Sequence, residues 1–398
     1  MLTGKEIILG VTGGIAAYKS VELLRLLTKA GATVHVIMTR SAQEFVAPLT
    51  FQTLSANPVH TELFNLIAER EIGHISLADR TDLCIIAPAT ANVIGKLANG
   101  IADDMLTTTV MATKAPVLLA PAMNVNMYQN SLYRENEERL RSHGFRIADP
   151  VRGALACGWE GEGKMQEPAI ILEEACRLLS PQDLVGETVL VTAGPTREEL
   201  DPVRFISNHS SGKMGYAIAR AARLRGARVI LVSGPVALVP PWGVETVCVE
   251  SAEEMRRAAL DRVEESTIII KAAAVSDYRP AVRAEEKIKK TGETLALELE
   301  RNPDILRELG GIKGERILVG FAAETERIQE NAAEKLAAKN LDLIVANDVR
   351  QPGAGFNVDT NIVTLLYRDG RREEVPCLPK ADIAWQLLDR IALLRRAV

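Results

Sequence analysis

A chain of 398 residues is too long for one ordinary core and, at roughly 100 to 200 residues per domain, points to two domains. Hydrophobic residues make up 47% of it but aromatic ones only 4%, so its cores are built from Ala, Val, Ile and Leu, as in buried parallel sheets. A net charge of −5 gives no general electrostatic footprint for nucleic acid or an anionic membrane, so neither is expected as a partner and any bound phosphate has to meet a local site.

The chain enters a strand-like run at residues 6–11 with no basic and apolar leader ahead of it, so secretion is not expected. Aliphatic runs at 7–11, 34–38, 83–87 and 117–120 read as strands and alternate with helix-period stretches such as 21–29 and 105–113. This alternation predicts an α/β fold with mainly parallel sheets. Ligands then sit beyond the carboxyl ends of the strands, here residues 12–16, 39–42, 88–92 and 121–126. A helix over 169–179 closes the first half, and the turn-rich stretch 180–186 marks a boundary, giving domains over 1–182 and 186–398.

A second sheet follows, with strands at 189–192, 229–232, 267–271, 317–321 and 343–346 and helices starting near Gly212 and Glu326. The charged stretch 279–301 predicts a mobile loop or a hairpin extending from that sheet. All apolar runs fall short of the ~20 residues that span a bilayer. The cysteines Cys84, Cys157, Cys176, Cys248 and Cys377 are odd in number and form no C-x-x-C pair, which fits a reducing cytoplasm.

At the end of the first strand, Thr12-Gly-Gly-Ile-Ala-Ala-Tyr-Lys19 sets Gly13 and Gly14 where backbone N–H groups can approach an anion, and Ile15 and Ala16 lead directly into a helix. The run is neither G-x-G-x-x-G nor G-x-x-x-x-G-K-[ST], so the dinucleotide and P-loop fingerprints do not apply, and a tight strand-to-helix turn explains it equally well. Thr39-Arg-Ser-Ala42 and Pro88-Ala-Thr-Ala-Asn92 add the hydroxyls of Thr39, Ser41 and Thr90 and the turn backbone of Pro88 and Ala89 at two further strand ends. A hydroxyl at such a place also caps helices. Pro121-Ala-Met-Asn-Val-Asn-Met-Tyr128 brings Met123 and Asn124 to the same rim, with Gly73-His74 upstream and Ala156-Cys157-Gly158 in a glycine-rich segment downstream.

This set resembles the flavin-containing cysteine decarboxylases, whose pattern is a G-[GS]-I-A turn, a histidine, a P-x-M-N-x-x-M motif and a glycine-flanked cysteine. Tyr128 stands where many relatives carry Trp. A carboxylate next to a carbon bearing nitrogen cannot leave as carbon dioxide without an electron sink, and oxidation of the carbon–sulfur unit to a thioaldehyde creates one. The resemblance implies FMN bound by Gly13, Gly14, Ile15, Ala16, Thr39, Ser41, Pro88, Ala89 and Thr90, with Met123 beside the substrate. It also implies His74 as the base of thiol oxidation, Asn124 holding the substrate carboxylate, and Cys157 as the final proton donor. Taken singly, His74 reads as a structural hydrogen-bonder, Asn124 as a helix cap and Cys157 as an inert loop thiol; the motif set favours the functional reading. His35 lies inside a strand and Cys84 and Cys176 on apolar runs, so all three read as packed residues.

In the second half, residues 194–215 form a long polar loop aimed at anions that ends with Ser210, Ser211 and Gly212 at a helix start. Downstream lie Ala272-Ala-Ala-Val-Ser-Asp-Tyr-Arg279, Lys287-Ile-Lys-Lys290, Asn302-Pro-Asp-Ile-Leu306, Gly320-Phe-Ala-Ala-Glu-Thr325 and the pair Lys335 and Lys339. Together they resemble the bacterial phosphopantothenate-cysteine ligases, and the order of the two halves matches the bifunctional bacterial family that also carries the decarboxylase. The resemblance implies a flavodoxin-like (Rossmann-like) flavoprotein domain followed by a Rossmann-like ligase domain. The expected substrates are 4'-phosphopantothenate, cysteine and phosphopantothenoylcysteine, with CTP as co-substrate and an acyl-cytidylate intermediate.

By the same resemblance Lys287 stabilises charge at the reacting phosphate with help from Lys289, Asp277 holds Mg²⁺, and Asn208 serves the intermediate. Lys271, Ala272, Ala273, Pro303, Asp304, Ile305, Leu306, Phe321, Lys335 and Lys339 line the nucleotide pocket. Read without the resemblance, the run 287–290 is a solvated charge string, and Lys335 and Lys339 are the wet face of a helix. The resemblance further implies trimeric clusters of the first domain and pairing of the second, a homo-oligomer of dodecamer size. Two rival readings remain: a flavin-binding regulator without catalysis, disfavoured because no acidic tail is present and His74, Asn124 and Cys157 are; and a nicotinamide oxidoreductase, disfavoured because G-x-G-x-x-G is missing.

Overall fold

Near-continuous runs such as Ile7-Ile-Leu9 are fully buried, as expected of strands covered on both faces. In the computed structural model they form two units, Met1–Ser180 and Pro181–Val398. The structure describes residues 2–63, 73–154, 158–289, 294–324, 328–348, 355 and 358–396.

In the first unit the strands are β1 (Glu6–Val11), β2 (Thr33–Met38), β3 (Val59–His60), β4 (Leu83–Ala89), β5 (Val117–Pro121) and β6 (Arg146–Ile147). They lie in the order 3-2-1-4-5-6, and every pairing is parallel. That is the Rossmann order rather than the 2-1-3-4-5 of flavodoxin, which narrows the expected fold to its Rossmann-like form, with a crevice where the order reverses beside β1. The helices are α1 (Ala17–Lys29), α2 (Pro48–Ser55), α3 (Gly73–Arg80), α4 (Ala91–Ala98), α5 (Met105–Ala112), α6 (Val125–Gln129), α7 (Ser131–Ser142) and α8 (Pro168–Leu178). Helix α1 starts four residues ahead of the periodic stretch, directly out of the glycine turn. Two short antiparallel strands, β7 (Val151–Ala154) and β8 (Glu160–Lys164), make a ribbon that apolar periodicity does not reveal.

The second unit repeats the plan with β9 (Thr188–Ala193), β10 (Arg197–Asp201), β11 (Arg204–Ser207), β12 (Arg228–Ser233), β13 (Glu245–Cys248) and β14 (Ile268–Lys271). It continues with β15 (Tyr278–Pro280), β16 (Leu299–Arg301), β17 (Ile317–Glu324), β18 (Leu343–Asp348), β19 (Thr360–Tyr367) and β20 (Arg372–Pro379). Its helices are α9 (Lys213–Leu224), α10 (Ala252–Leu260), α11 (Ile305–Ile312), α12 (Ile328–Ala338) and α13 (Lys380–Arg396). The main sheet runs 13-12-9-14-17-18-19-20, parallel as far as β18, with β19 and β20 added antiparallel at one edge.

One expectation needs correction and one is narrowed. The stretch 194–215 is not an open loop, because β10 and β11 fold it into a hairpin. Its turn is closed by the Asp201 carboxylate, which accepts the N–H groups of Val203 and Arg204. Of the alternatives for 279–301, the hairpin holds at its base, where β15 pairs antiparallel with β16. Among the described residues no helix is long and apolar enough to cross a membrane.

Arg225, at the end of α9, is the largest fully buried side chain among the described residues. It donates to both oxygens of Asp183 at 2.9 and 2.6 Å and to Asp389 at 2.7 Å, and stacks 5.6 Å from the Trp385 ring centre. One guanidinium thus ties the start of the unit to α9 and α13. Arg225→Ala is expected to cost roughly 3 kcal/mol, at the low end for a broken buried pair because the carboxylates keep some water. A urea midpoint unchanged from wild type would contradict this.

Candidate functional sites

The carboxyl ends of β1, β2, β4 and β5 surround a cleft of about 730 Å³. It is lined by Gly13, Gly14, Ile15, Ala16, Thr39, Ser41, Thr90, Met123 and Asn124 of the expected residues. Thr12 builds the floor: its hydroxyl donates to the Pro88 carbonyl at 2.7 Å and accepts the Thr90 N–H at 3.2 Å, locking the end of β1 to the end of β4. Pro88 and Ala89 lie within buried β4, so they support the rim without lining it. A Cβ on Gly13 would fall 2.3 Å from the Ser41 Cβ, so the two turns meet only because residue 13 has no side chain. The Thr39 hydroxyl is buried with no hydrogen-bond partner among the described residues.

On the far rim Asn124 caps α6, its Oδ1 accepting the Asn126 N–H at 2.8 Å. Cap and cleft-lining residue are thus one side chain, and the cap sets its orientation. Met123 donates its N–H to the Gly163 carbonyl at 2.9 Å, and a Cβ on Gly163 would lie 2.4 Å from the Met123 carbonyl. This docks β8 of the ribbon against the Met123-Asn124 rim. Cys157, between β7 and β8 in sequence, lies outside the described residues.

His74 sits on α3, half-buried, with Nδ1 lacking a partner among the described residues, and it does not line the cleft. Sequence reading missed Lys19, which lines the cleft from α1 and donates to Glu167 at 2.9 Å and to the Met165 carbonyl. Its position one turn beyond the glycines was the available signal. His35 is buried against Glu6 at 2.7 Å, and Cys84 and Cys176 are buried; burial pushes the Cys84 thiol up to about 12.

In the second unit a cleft of about 370 Å³ gathers Lys271, Asp277, Pro303, Asp304, Ile305 and Lys339. Ser276, Asn302 and Arg301 also line it. The Ser276 hydroxyl and the Asn302 Oδ1 are buried without a partner among the described residues. Asp304 caps α11 and accepts Lys339 Nζ at 2.9 Å. That pair exists because α11 meets the end of α12 closely: a Cβ on Gly310 would lie 2.0 Å from the Lys339 carbonyl. Asn208 stands beside the cleft, its amide donating to the Val275 carbonyl at 3.0 Å.

Other expected residues are not brought to the wall. Ala273 and Leu306 are buried core, and Ala272 and Phe321 pack against core side chains. Lys335 does not line the cleft, although its charge is felt at Lys271. Lys287 and Lys289 are exposed and outside it.

Lys271 itself is half-buried, and its Nζ donates to the Ala273 carbonyl at 3.0 Å. Desolvation, then the Lys339 charge, pull its pKa from 10.5 down to about 8, against Asp304 and Asp277. Between about 8 and 10.5 the unfolded chain therefore binds more protons than the folded one, so stability rises with pH across that window. Lys271→Met is expected to flatten that part of the stability profile. A profile whose slope from pH 8 to 10.5 matches wild type would contradict the shift.

Residues 1–180 match the family described as Flavoprotein, and residues 184–394 the family described as DNA/pantothenate metabolism flavoprotein C-terminal domain. The coenzyme A biosynthesis bifunctional protein CoaBC of Bacillus subtilis (strain 168) is 52% identical over 400 residues, covering 100% of this chain and 98% of that protein. The protein of the same name from Escherichia coli (strain K12) is 48% identical over 392 residues, covering 97% and 96%. Among solved structures, the C-terminal domain of a coenzyme A biosynthesis bifunctional protein CoaBC is 46% identical, covering 55% of this chain and 100% of that one, with a TM-score of 0.48.

Proposed function

The chain belongs to the family of coenzyme A biosynthesis bifunctional proteins, and from that premise we propose the division of labour between its units. It is a bifunctional enzyme of coenzyme A synthesis with a flavoprotein decarboxylase domain and a ligase domain. The second unit joins 4'-phosphopantothenate to cysteine through an acyl-cytidylate made from CTP with Mg²⁺. The first unit decarboxylates the resulting phosphopantothenoylcysteine to 4'-phosphopantetheine with FMN.

The observation that carries the first half is the Gly13–Ser41 contact with the Thr39 hydroxyl, unpartnered among the described residues, beside it. A backbone cradle next to a buried, unspent hydroxyl fits a phosphate, and the apolar stretch towards Met123 fits a planar ring. Gly13, Gly14, Thr39, Ser41 and Thr90 would hold FMN, which when bound supplies the two-electron sink that a cysteine carboxylate lacks. Asn124, oriented by its cap, holds the substrate carboxylate opposite, and Met123 packs beside it. By the family resemblance His74, whose Nδ1 has no partner among the described residues although it does not line the cleft, would take the thiol proton, and Cys157 would return a proton at the end.

In the second unit the unspent Ser276 and Asn302 atoms and the lysines at 271 and 339 suit a polyanionic nucleotide. Asp277 would supply one carboxylate to Mg²⁺, the usual share when phosphates provide other ligands. Lys287 and Lys289 bring charge to the reacting phosphate from the neighbouring segment, and Asn208 serves the intermediate at the cleft edge.

Purified protein is expected to be yellow, and Gly13→Ala to lose FMN while remaining folded; a variant that stays fully yellow would count against the cradle. Incubated with 4'-phosphopantothenate, cysteine, CTP and Mg²⁺, the protein should release pyrophosphate and then carbon dioxide. Lys287→Gln should slow pyrophosphate release by ~100-fold, as for loss of a charge-stabilising donor. Wild-type rates in that variant would remove the assigned role.

A further inference from the structure

The charged run that contains Lys287 and Lys289 is held by a carboxylate on another element. Asp201, at the end of β10, is 1% exposed. Its Oδ1 accepts the N–H groups of Val203 and Arg204 at 2.8 and 2.9 Å, which closes the hairpin turn. Its Oδ2 accepts the Arg204 guanidinium at 3.0 and 2.6 Å and also the Ile288 N–H at 3.0 Å. The same Arg204 Nη2 donates to the Ile288 carbonyl at 2.7 Å. Both backbone groups of Ile288 therefore end on one ion pair.

The tether continues along the hairpin edge. Ala284 donates its N–H to the Leu200 carbonyl at 2.9 Å, and Arg283 pairs with Glu199 at 2.5 Å. Burial opposes the charge on Asp201, but Arg204 and the N–H groups of Ile288, Val203 and Arg204 outweigh it and hold the carboxyl well below the usual carboxylate range.

Closing the turn requires only the Oδ1 contacts. The Ile288 contacts do something else: with consecutive Cα atoms ~3.8 Å apart, a fixed residue 288 fixes the origins of the side chains at 287 and 289. Exposed lysines on an untethered loop would lose chain and rotamer freedom each time they met a ligand.

We propose that Asp201, acting through Arg204 and the backbone of Ile288, is a positioning residue of the ligation reaction, presenting Lys287 and Lys289 to the triphosphate as a preset pair of charges. The inference rests on the ligase reading of the second unit. Preorganised charge acts at the moment of reaction, so its loss falls on kcat more than on KM.

Asp201→Asn keeps the side-chain shape but cannot accept at both oxygen positions. Pyrophosphate release from CTP, 4'-phosphopantothenate and Mg²⁺ is to be measured for wild type, Asp201→Asn, Lys287→Gln and the double variant. Asp201→Asn is expected to lower kcat by about 10- to 50-fold with KM for CTP changed by less than about threefold, and the double variant to lose clearly less than the product of the two single losses, the remainder being the share of Lys289. Wild-type kcat in Asp201→Asn, or losses that multiply in the double variant, would overturn the proposal, since either shows that Asp201 does not act through Lys287. Should Asp201→Asn fail to fold, Arg204→Met removes the donor to the Ile288 carbonyl, keeps the turn, and enters the same cycle, where the same two outcomes decide between support and rejection. A wild-type protein that releases no pyrophosphate would instead sink the ligase reading, and is distinguishable because Lys287→Gln then changes nothing.

Discussion

Both clefts depend on main chain passing main chain more closely than a side chain permits. In the first unit the turn after β1 lies against the turn after β2, and the ribbon strand β8 lies against the segment after β5; a Cβ at Gly13 or Gly163 would stand 2.3 or 2.4 Å from an opposing atom. In the second unit, α11 reaches the end of α12 in the same way at Gly310. Parallel strands bring their carboxyl ends to one edge of the sheet, but a rim alone is only a crevice. The close approaches turn each rim into a shaped cleft in which hydroxyls, amides and charges from distant parts of the chain face one space.

Three of the buried polar atoms left over lie in the clefts. Folded proteins pair nearly all buried polar groups, because an unpaired one forfeits its hydrogen bond to water. Among the described residues Thr39, Ser276 and Asn302 each keep a buried oxygen without a partner, and each lines a cleft. Stability would be served by filling those positions with apolar side chains; a ligand that hydrogen-bonds there recovers the loss on binding. Elsewhere the second unit carries strongly paired buried groups, among them the Arg225 centre and the Asp201–Arg204 pair.

The alternating α/β plan was legible because both sheets are built from fully buried aliphatic runs, which mark parallel strands whatever lies between them. The Gly13-Gly14 turn and the Met123-Asn124 segment were legible as motifs, since few residue types satisfy a turn, a cap and a ligand together. The β10–β11 hairpin was not, because its strands are polar and its turn is closed by a side chain, Asp201, rather than by an Asn-Gly signal. Nor was Lys19, whose burial follows from Glu167, a residue 148 positions along the chain.

By itself, then, the sequence determined what is local: strand and helix periods, the glycine turns, the caps and the chemical kinds of residue at each strand end. Only the tertiary structure decided which of them share a space. It set Lys271, Asp304 and Lys339 around one cleft, left Lys287 and Lys289 outside it on a segment pinned through Ile288, and kept Phe321 and Leu306 for packing. Periodicity depends on neighbours three or four residues away, whereas a cleft depends on distances between elements, and those are set by side-chain packing and close backbone approach that no local pattern encodes.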